Sequence, residues 1–430
     1  MELGAAYGAL AHETRSLLIR LGQVKPFSLL MPMVAAAALP AGILNKIERF
    51  IQYERQEIRR ATRHYLNRLQ VMLKTRQPSA EAQRLFTILR IRFNNFLSQF
   101  DIFADVLTQR GEHENGVFLA GLDRVAQDAM RLPGIPIRPP PLICYLGRGY
   151  GGAIRRIRTR LPGGRKNPVA IIRLPRERMI CGTIAASLVH EVGHQGAVLL
   201  DLINSARESF LADKGRDRVW DLYHLWIAEI LADFWSIAKL GIGATMGLIT
   251  VVSLPRHFVF RLSPTDPHPM PYIRVLLSCA LGKALYPDPQ WERTAVLWRD
   301  LYPLAGMNQE QRAQIARITA RMPEFTELFL LHRPPRLGGK TQGQVFADPA
   351  RQAGNLRRLY DGKKTNAEVL HQLPPTLAFA VIGQARADGR ITPEQESTVI
   401  ESLLKKFALN RRNPSHEVSN NHNKCLRCIA

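Results

Sequence analysis

The amino-acid sequence predicts an α+β protein in which helices predominate. Apolar residues recur at helical spacing over long stretches, notably 45–76 and 217–239. Two short apolar segments, 142–146 and 169–174, lie between turn-forming residues and are strand candidates. At 430 residues the chain exceeds the size at which a single hydrophobic core stops growing, so two or three domains are expected.

The charge of the chain indicates an anionic partner. Its formal net charge is +23 and its pI is about 10.4. So large a surplus of positive charge favours association with nucleic acid, an acidic protein or an anionic membrane surface. It carries no information about the fold.

The cysteines and the apolar runs indicate the compartment. Five scattered cysteines do not form a secreted disulfide framework, and the first residues lack the pattern of a signal peptide. The uncharged run 27–44 is interrupted by Pro32 and Pro40, and the run 240–254 is short and rich in glycine. We therefore predict a cytoplasmic protein and expect no membrane span. The sequence leaves the oligomeric state open.

Residues 1–130 are predicted to form a basic helical region. From Asn45 to Arg76, apolar residues at helical spacing interleave with Arg and Lys, and Ser79 can cap a second helix that continues past Phe93. The two helices are expected to form an antiparallel hairpin. Its charges either are simply solvated or provide a docking arm for an anionic partner.

The stretch 131–178 is the most basic part of the chain, with about twelve Arg or Lys residues and one acid, Glu177. The glycines at 147–152 lack the Gly-Lys-Ser/Thr of a phosphate-binding loop, so we interpret them as a flexible turn. Residues 153–161 alternate between apolar and Arg positions, as an exposed strand can.

The residues with the strongest chemical signal follow at 187–195. His190, Glu191 and His194 form the pattern H-E-x-x-H in an apolar helical run. Residues four apart share one face of a helix, so the two imidazoles can bind one metal ion, and Glu191 can reach a water molecule there without being a ligand. The pattern also occurs by chance, so a third ligand is required. Asp201, about two turns beyond His194, is one candidate.

A downstream helix provides a stronger candidate. The pattern H-E-x-x-H-x-x-G-x-x-H is excluded by Ala197 and Leu200, and H-x-x-E-H is excluded by Gly193. Glu229 and Asp233 lie four residues apart in a predicted helix and so share a face. One of them can complete the metal site while the other accepts the free N–H of a ligating imidazole.

Three motifs together resemble the gluzincin metallopeptidases, which include HtpX-like and CAAX-prenyl-protease-like enzymes. The motif order of that group is H-E-x-x-H, E-x-x-A-D and H-P-x-x-x-x-R, and the chain has these patterns at 190–194, 229–233 and 268–274. The resemblance covers roughly residues 165–285. The clear transmembrane helices of that group have no counterpart in this sequence.

The resemblance implies a set of roles for the matching residues. Zn²⁺ would be held by His190, His194 and Glu229, with Glu191 as the general base. Asp233 would support a ligating imidazole from outside the coordination sphere. The implied cofactor is therefore one zinc ion.

The resemblance also implies a cleft and a zincin-like fold. His268 and Arg274 would line the cleft near the ion or the transition-state oxyanion, as catalytic residues. The strand before the metal helix would form the edge of a small sheet and pair with an extended peptide. That strand is 169–174, and its substrate-binding residues would be Val169, Ile171 and Ile172.

Composition divides the rest of the chain. The resemblance implies a zincin-like metallopeptidase domain at 131–330. Composition then predicts a linker at 331–352 that is rich in Pro and Gly, a small all-helical domain at 353–412, and a flexible tail at 413–430.

The predicted C-terminal domain resembles a second family. The turn A-D-G-x-I at 387–391 is similar to that of TerB-like helical domains of tellurite resistance, which indicates a small interaction domain. Calcium binding is not expected, because Gln384 and Arg386 would occupy ligand positions of the loop. In the tail, Cys425 and Cys428 form at most half of a zinc site.

The leading hypothesis is a zinc-dependent metallopeptidase that acts on a protein or peptide substrate. The alternative is a binding protein that uses its basic surface on nucleic acid or an acidic protein, with a zinc site that is structural or inactive. The sequence contains no module with interleaved aromatic residues for specific base contacts, so binding ranks second.

Overall fold

The computed structural model describes residues 2–149, 151–178, 181–212, 217–363 and 367–410. Helices predominate in these residues and are accompanied by a small three-stranded sheet, which confirms the predominantly α composition. The predicted tail, with Cys425 and Cys428, lies outside the described residues.

The helices and strands begin and end as follows. The N-terminal helices are α1 (Glu2–Gln23), α2 (Phe27–Leu30), α3 (Ala41–Lys74), α4 (Ser79–Thr108) and α5 (His113–Ala129). The strands are β1 (Leu142–Gly147), β2 (Ala153–Arg155) and β3 (Ala170–Pro175). The helices after the sheet are α6 (Thr183–Leu199), α7 (Leu202–Glu208), α8 (Arg218–Leu240), α9 (Ile242–Val252), α10 (Arg256–Val259), α11 (Pro271–Leu285), α12 (Gln290–Leu301) and α13 (Gln309–Leu331). The C-terminal helices are α14 (Gln342–Phe346), α15 (Ala353–Lys363), α16 (Ala367–Leu370), α17 (Pro375–Ala387) and α18 (Pro393–Leu409).

The chain divides into two compact units. Unit 1 comprises residues 1–117 and 155–171. In it α1, α3 and α4 pack against one another, and the Tyr65 hydroxyl donates to the carbonyl of Ala82 across the connection between α3 and α4, as the predicted hairpin requires. The cap position of α4 is Pro78, so Ser79 is the first helical residue and not the cap.

Unit 2 comprises residues 118–154 and the chain from 172 onward. In this unit α6 packs against α8 and α9, while α11 packs against α8, α12 and α13. Large aromatic side chains fill the core and are fully buried: Trp226, Trp235, Trp291 and Trp298. Their burial removes the largest apolar surfaces of the chain from water, which is the main stabilising contribution expected in a unit of this size.

The two uncharged runs adopt short helices. The run 240–254 forms α9, which has 11 residues and packs against α6. The run 27–44 is divided by its prolines, so that α2 ends at Leu30 and α3 begins after Pro40. Among the described residues, no helix combines the length and the apolar character needed to cross a membrane.

The sheet has the strand order β1-β3-β2. The predicted strand 169–174 is confirmed as β3. The predicted strand 153–161 is shorter than expected, because only Ala153–Arg155 is extended as β2. Arg158 adopts the left-handed conformation with φ of 65°, and a strand cannot continue through that conformation.

The C-terminal segments pack within unit 2. The segment 331–352, whose composition predicts a linker, contains α14, and the ring of Phe346 lies 5.1 Å from that of Phe234 and 5.0 Å from that of Trp235. The following segment contains α15 to α18, of which α17 packs against α8 and α9. The domain boundaries inferred from composition remain a prediction.

Candidate metal centre

The helices α6 and α8 approach closely because small residues lie where they meet. A Cβ atom at Gly193 would lie 2.9 Å from the Cα atom of Ala232, and one at Gly196 would lie 2.3 Å from the ring of Trp235. Real side chains do not reach such distances, so both positions need glycine. The close approach brings the acidic face of α8 alongside the two imidazoles of α6.

Three side chains converge at this crossing. His190, His194 and Glu229 each place one potential ligand atom within 4.8 Å of the other two. The Nε2 atoms of His190 and His194 are 3.1 Å apart. Glu229 places Oε2 at 3.4 Å from Nε2 of His190 and Oε1 at 3.3 Å from Nε2 of His194. This group could hold a metal ion.

These separations fit a tetrahedral ion. Zinc bonds of about 2.0–2.1 Å to nitrogen and oxygen at tetrahedral angles separate neighbouring ligand atoms by about 3.3 Å. The two Nε2 atoms are 3.1 Å apart, and each lies 3.3 or 3.4 Å from its nearer oxygen of Glu229, a different oxygen in each case, so these distances lie around that value. Two imidazoles and one carboxylate are also a ligand set of catalytic zinc, which keeps one position open. Other divalent transition metals accept the same ligand types.

Asp233 and Arg274 form hydrogen bonds with the side chains that could bind the ion. A carboxylate can only accept, so Nδ1 of His190 donates to Oδ1 of Asp233 at 2.8 Å and Nε2 keeps its lone pair for an ion. Arg274 donates to Asp233 from Nε at 2.7 Å and from Nη2 at 2.9 Å, and Nη2 also donates to Oε2 of Glu229 at 3.2 Å. The guanidinium group therefore orients both carboxylates of α8.

The centre favours positive charge. Burial opposes protonation of His190, but the charge of Asp233 and its hydrogen bond outweigh burial and raise the pKa of His190 to about 10, so an ion that binds Nε2 must displace a proton from it. Burial also opposes ionisation of Asp233, yet Arg274 and His190 hold the pKa of that carboxyl at about 2. In the same way, hydrogen bonds from the two imidazoles outweigh burial and hold the pKa of Glu229 far below its usual range. Both carboxylates are thus ionised at neutral pH and attract a cation.

Glu191 is buried beside the ligands. Burial raises the pKa of its carboxyl group, although the nearby charges of His190 and His194 oppose the rise. A raised pKa suits a group that must accept and then return a proton near neutral pH. A Cβ atom at Gly152 would lie 2.7 Å from Oε1 of Glu191, so the loop before β2 passes directly beside this carboxylate.

His268 lies at the exposed side of the centre. Its side chain is 58% exposed, and its Nε2 is 3.6 Å from Oε1 of Glu229. Oδ1 of Asp266 lies 2.8 Å from Nδ1 of His268 and accepts the backbone N–H of the same residue at 3.0 Å. Asp266 therefore fixes the ring with Nε2 directed toward the metal centre.

The strand predicted to bind substrate is not at a sheet edge. β3 lies between β1 and β2, so the expected edge position of 169–174 is wrong. Val169, Ile171 and Ile172 are buried, with at most 3% exposure. The edges belong to β1 and β2, and β2 begins directly after Gly152. The assignment of the three apolar residues to substrate binding remains a prediction.

Sequence reasoning missed three residues that shape the centre. Asp266 could have been found from its position two residues before His268, because Asp in a Pro-rich loop commonly accepts from the backbone two residues on. Gly193 lies inside the H-E-x-x-H motif, where a glycine in a helix signals close packing. Gly152 had no such signal, because its contact with Glu191 depends on the tertiary fold.

Other polar candidates do not join the ligands. Asp201 lies outside the group of converging ligand atoms found among the described residues. Tyr223 is fully buried and its hydroxyl donates to the carbonyl of Ile318, which is a structural role. Burial raises the pKa of this phenol above its usual value.

The fold and the site thus define a predominantly helical protein with a candidate metal centre of two imidazoles and one carboxylate. No family model, no curated protein and no solved structure matches the chain. The case for its function therefore depends on the residues of the centre.

Proposed function

We propose that the protein is a zinc-dependent metallopeptidase. The observation that carries the proposal is the convergence of His190, His194 and Glu229, each with one potential ligand atom within 4.8 Å of the other two, with Glu191 buried beside them. A binding site for an ion does not by itself need an adjacent carboxylate that is not a ligand. A hydrolytic site does, because the attacking water must lose a proton.

Each residue of the centre has a separate role in peptide hydrolysis. Bound zinc would supply Lewis acidity that acidifies a water molecule and polarises the scissile carbonyl. Glu191 accepts the proton of the attacking water and returns it to the leaving amine. Because Nδ1 of His268 donates to Asp266, Nε2 can donate to the oxygen of the carbonyl when the ring is an imidazolium, whose positive charge also stabilises the negative charge that develops there. Asp233 is a positioning residue, since it fixes the tautomer of a ligand.

Arg274 is also a positioning residue in this proposal. Its side chain is only 12% exposed and donates to Asp233 and Glu229, so it is committed to the carboxylates of α8. This differs from the role in the cleft that the sequence predicts. The bidentate contact fits an arginine because the planar guanidinium matches a carboxylate.

The substrate strand in this proposal is β2. A short edge strand can pair with an extended peptide through its free backbone groups. β2 is an edge in the strand order, and the residue before it, Gly152, touches Glu191. A peptide paired with β2 would therefore pass close to the general base. A zincin-like arrangement of sheet and metal helix is part of the same proposal.

Metal analysis beside a peptide cleavage assay tests the function. Wild-type protein is expected to hold stoichiometric zinc and to cleave casein. Glu191→Gln should keep zinc and lose cleavage, and His268→Ala should keep zinc with turnover about 10²–10³ lower. Glu327→Gln, an exposed change on α13, and His257→Ala, an exposed change on α10, are the controls and should leave both unchanged.

Two outcomes would contradict the proposal. Absence of bound metal in the wild type would remove the centre itself. Zinc in every variant together with no cleavage would favour the alternative, a binding protein with a structural site. Against that alternative, structural zinc sites use four protein ligands, whereas the group found among the described residues has three.

A further inference from the structure

We propose that a basic surface of unit 1 binds the phosphate backbone of a double-stranded nucleic acid. The surface consists of the solvent-facing side of α3 and of the hairpin 158–167. It is independent of the metal centre and of the proposed peptidase activity. Unit 1 has roughly twice as many Lys and Arg residues as Asp and Glu residues.

The helix α3 forms the long axis of the surface. It has 34 residues, and at about 1.5 Å per residue it is about 50 Å long. Its apolar side is buried in unit 1, where α3 packs against α1 and α4. The opposite side and its flanks carry exposed cations at helical spacing: Lys46, Arg49, Arg59, Arg60, Arg63, Arg68 and Lys74.

A second basic segment, distant in sequence, folds against the same helix. An antiparallel bridge closes the hairpin 158–167, and Arg165 fixes it to α3. The guanidinium of Arg165 pairs with Glu54 at 2.6 Å and lies 4.0 Å from the ring centre of Tyr53. Three other cations of the hairpin remain exposed: Arg158, Arg160 and Lys166.

In the free protein, the positive charges of these side chains repel one another. Arg59 and Arg63 are four residues apart, and Arg60 and Arg63 are three apart, so like charges are neighbours on the helix surface. Among the described residues, Arg60 is the one cation of this side of α3 that pairs with a carboxylate, Glu57. A polyanion would relieve this repulsion and release its own counterions.

The chemistry of the surface favours nucleic acid over a membrane. The row from Lys46 to Lys74 is about 42 Å long, slightly more than one turn of a duplex, and a duplex presents phosphates continuously over that distance. Arginine predominates in the row, and its planar fork matches phosphate oxygens. A helix that lies in a bilayer surface needs an apolar side toward the lipid, whereas the apolar side of α3 faces the core.

Fluorescence anisotropy of the full chain tests the proposal. The probes are a labelled DNA duplex of about two helical turns, an RNA duplex of the same sequence, and vesicles of phosphatidylcholine and phosphatidylserine in equal parts. The variant is Arg49→Gln, Arg60→Gln and Arg63→Gln combined. Its matched control is Arg293→Gln, Arg312→Gln and Arg317→Gln, which removes the same charge from exposed positions of α12 and α13.

The wild type is expected to bind a duplex, and the DNA and RNA arms show which backbone it prefers. The α3 variant should bind at least tenfold more weakly. Its plot of log K against log salt between about 50 and 200 mM should be shallower by about 3, roughly one for each lost phosphate contact. The control variant should retain the wild-type slope. Circular dichroism checks that the variants remain folded.

Three results would overturn the proposal. They are no duplex binding by the wild type at low salt, equal losses of affinity in the α3 variant and the control, and binding to vesicles but not to duplexes. Equal losses would indicate that net charge alone drives association. Binding to vesicles alone would assign the surface to a membrane.

Discussion

Asp233 connects the candidate metal ligand His190 with Arg274. It accepts from His190 and from two nitrogens of Arg274, while Arg274 also contacts Glu229. The tautomer of one ligand and the orientation of another thus depend on this single carboxylate. A buried charge of this kind is stable only while its partners are in place, so the network acts as one unit.

Asp233→Asn is expected to weaken zinc binding by about 10- to 100-fold, because the amide disrupts the contact with Arg274 and supports the His190 tautomer less well. Competition with a chromogenic chelator measures the affinity. The matched control is Asp221→Asn, an exposed position in the first turn of the same helix. Equal zinc affinities of Asp233→Asn and the wild type would show that the ligands do not need Asp233.

The pair α6 and α8 is the element on which the centre depends. Glu229 and Asp233 reach the imidazoles only because Gly193 and Ala232 allow the two backbones to meet. The same pairing buries Trp235, whose indole N–H donates to the carbonyl of Ala129. The packing of α6 against α8 and the arrangement of the candidate ligands therefore depend on the same contact.

Gly193→Ala is expected to lower the free energy of unfolding by about 1–3 kcal/mol, because the added methyl group meets backbone that cannot move aside. Zinc affinity should fall with it, since α6 and α8 must separate. Denaturation followed by tryptophan fluorescence measures the stability of unit 2, where all five tryptophans lie.

Gly354→Ala in α15 is the control for this change, because nothing lies within 4 Å of its added Cβ atom. Ala is a better helix former than Gly, so the control should be neutral or stabilise by up to about 1 kcal/mol. If Gly193→Ala behaved like Gly354→Ala, the close approach of the helices would not be required.

At the scale of the whole molecule, the C-terminal helices are joined to the helix that carries Glu229. Arg351 is buried and donates to the carbonyl of Lys239 at the end of α8 and to Oγ1 of Thr376 at 2.9 Å. Thr376 in turn donates to Asp128 from its hydroxyl at 2.6 Å and from its backbone at 2.9 Å. These bonds connect α5, α8 and α17 within unit 2.

Thr376→Val keeps the shape of the side chain but removes the hydroxyl from this network. We expect a loss of about 1–3 kcal/mol in the free energy of unfolding of unit 2, because Arg351 and Asp128 each lose a buried partner. Tryptophan fluorescence during denaturation again measures it. Thr398→Val, an exposed change in α18, should stay within about 0.5 kcal/mol of the wild type. Equal stability of the two variants would contradict the role of the network.

Local patterns in the sequence predict the helical composition, the two strand segments and the side chains of the candidate metal centre. These depend on local periodicity and on the chemistry of ligands four residues apart, which a sequence displays directly. His190, His194, Glu229 and Asp233 could all be named from their spacing. The strong positive charge of 45–76 and 131–178 could be read in the same way, although the contact between these two segments could not.

The tertiary structure was needed to establish the strand order, the contact of Gly152 with Glu191 and the bonds from Arg274 to Asp233 and Glu229. It also shows that the segment 331–352 packs in unit 2 and that the basic hairpin 158–167 contacts the basic helix α3. Each of these depends on contacts between residues far apart in the chain. Such contacts arise from how the core is packed, and neither periodicity nor composition specifies that packing.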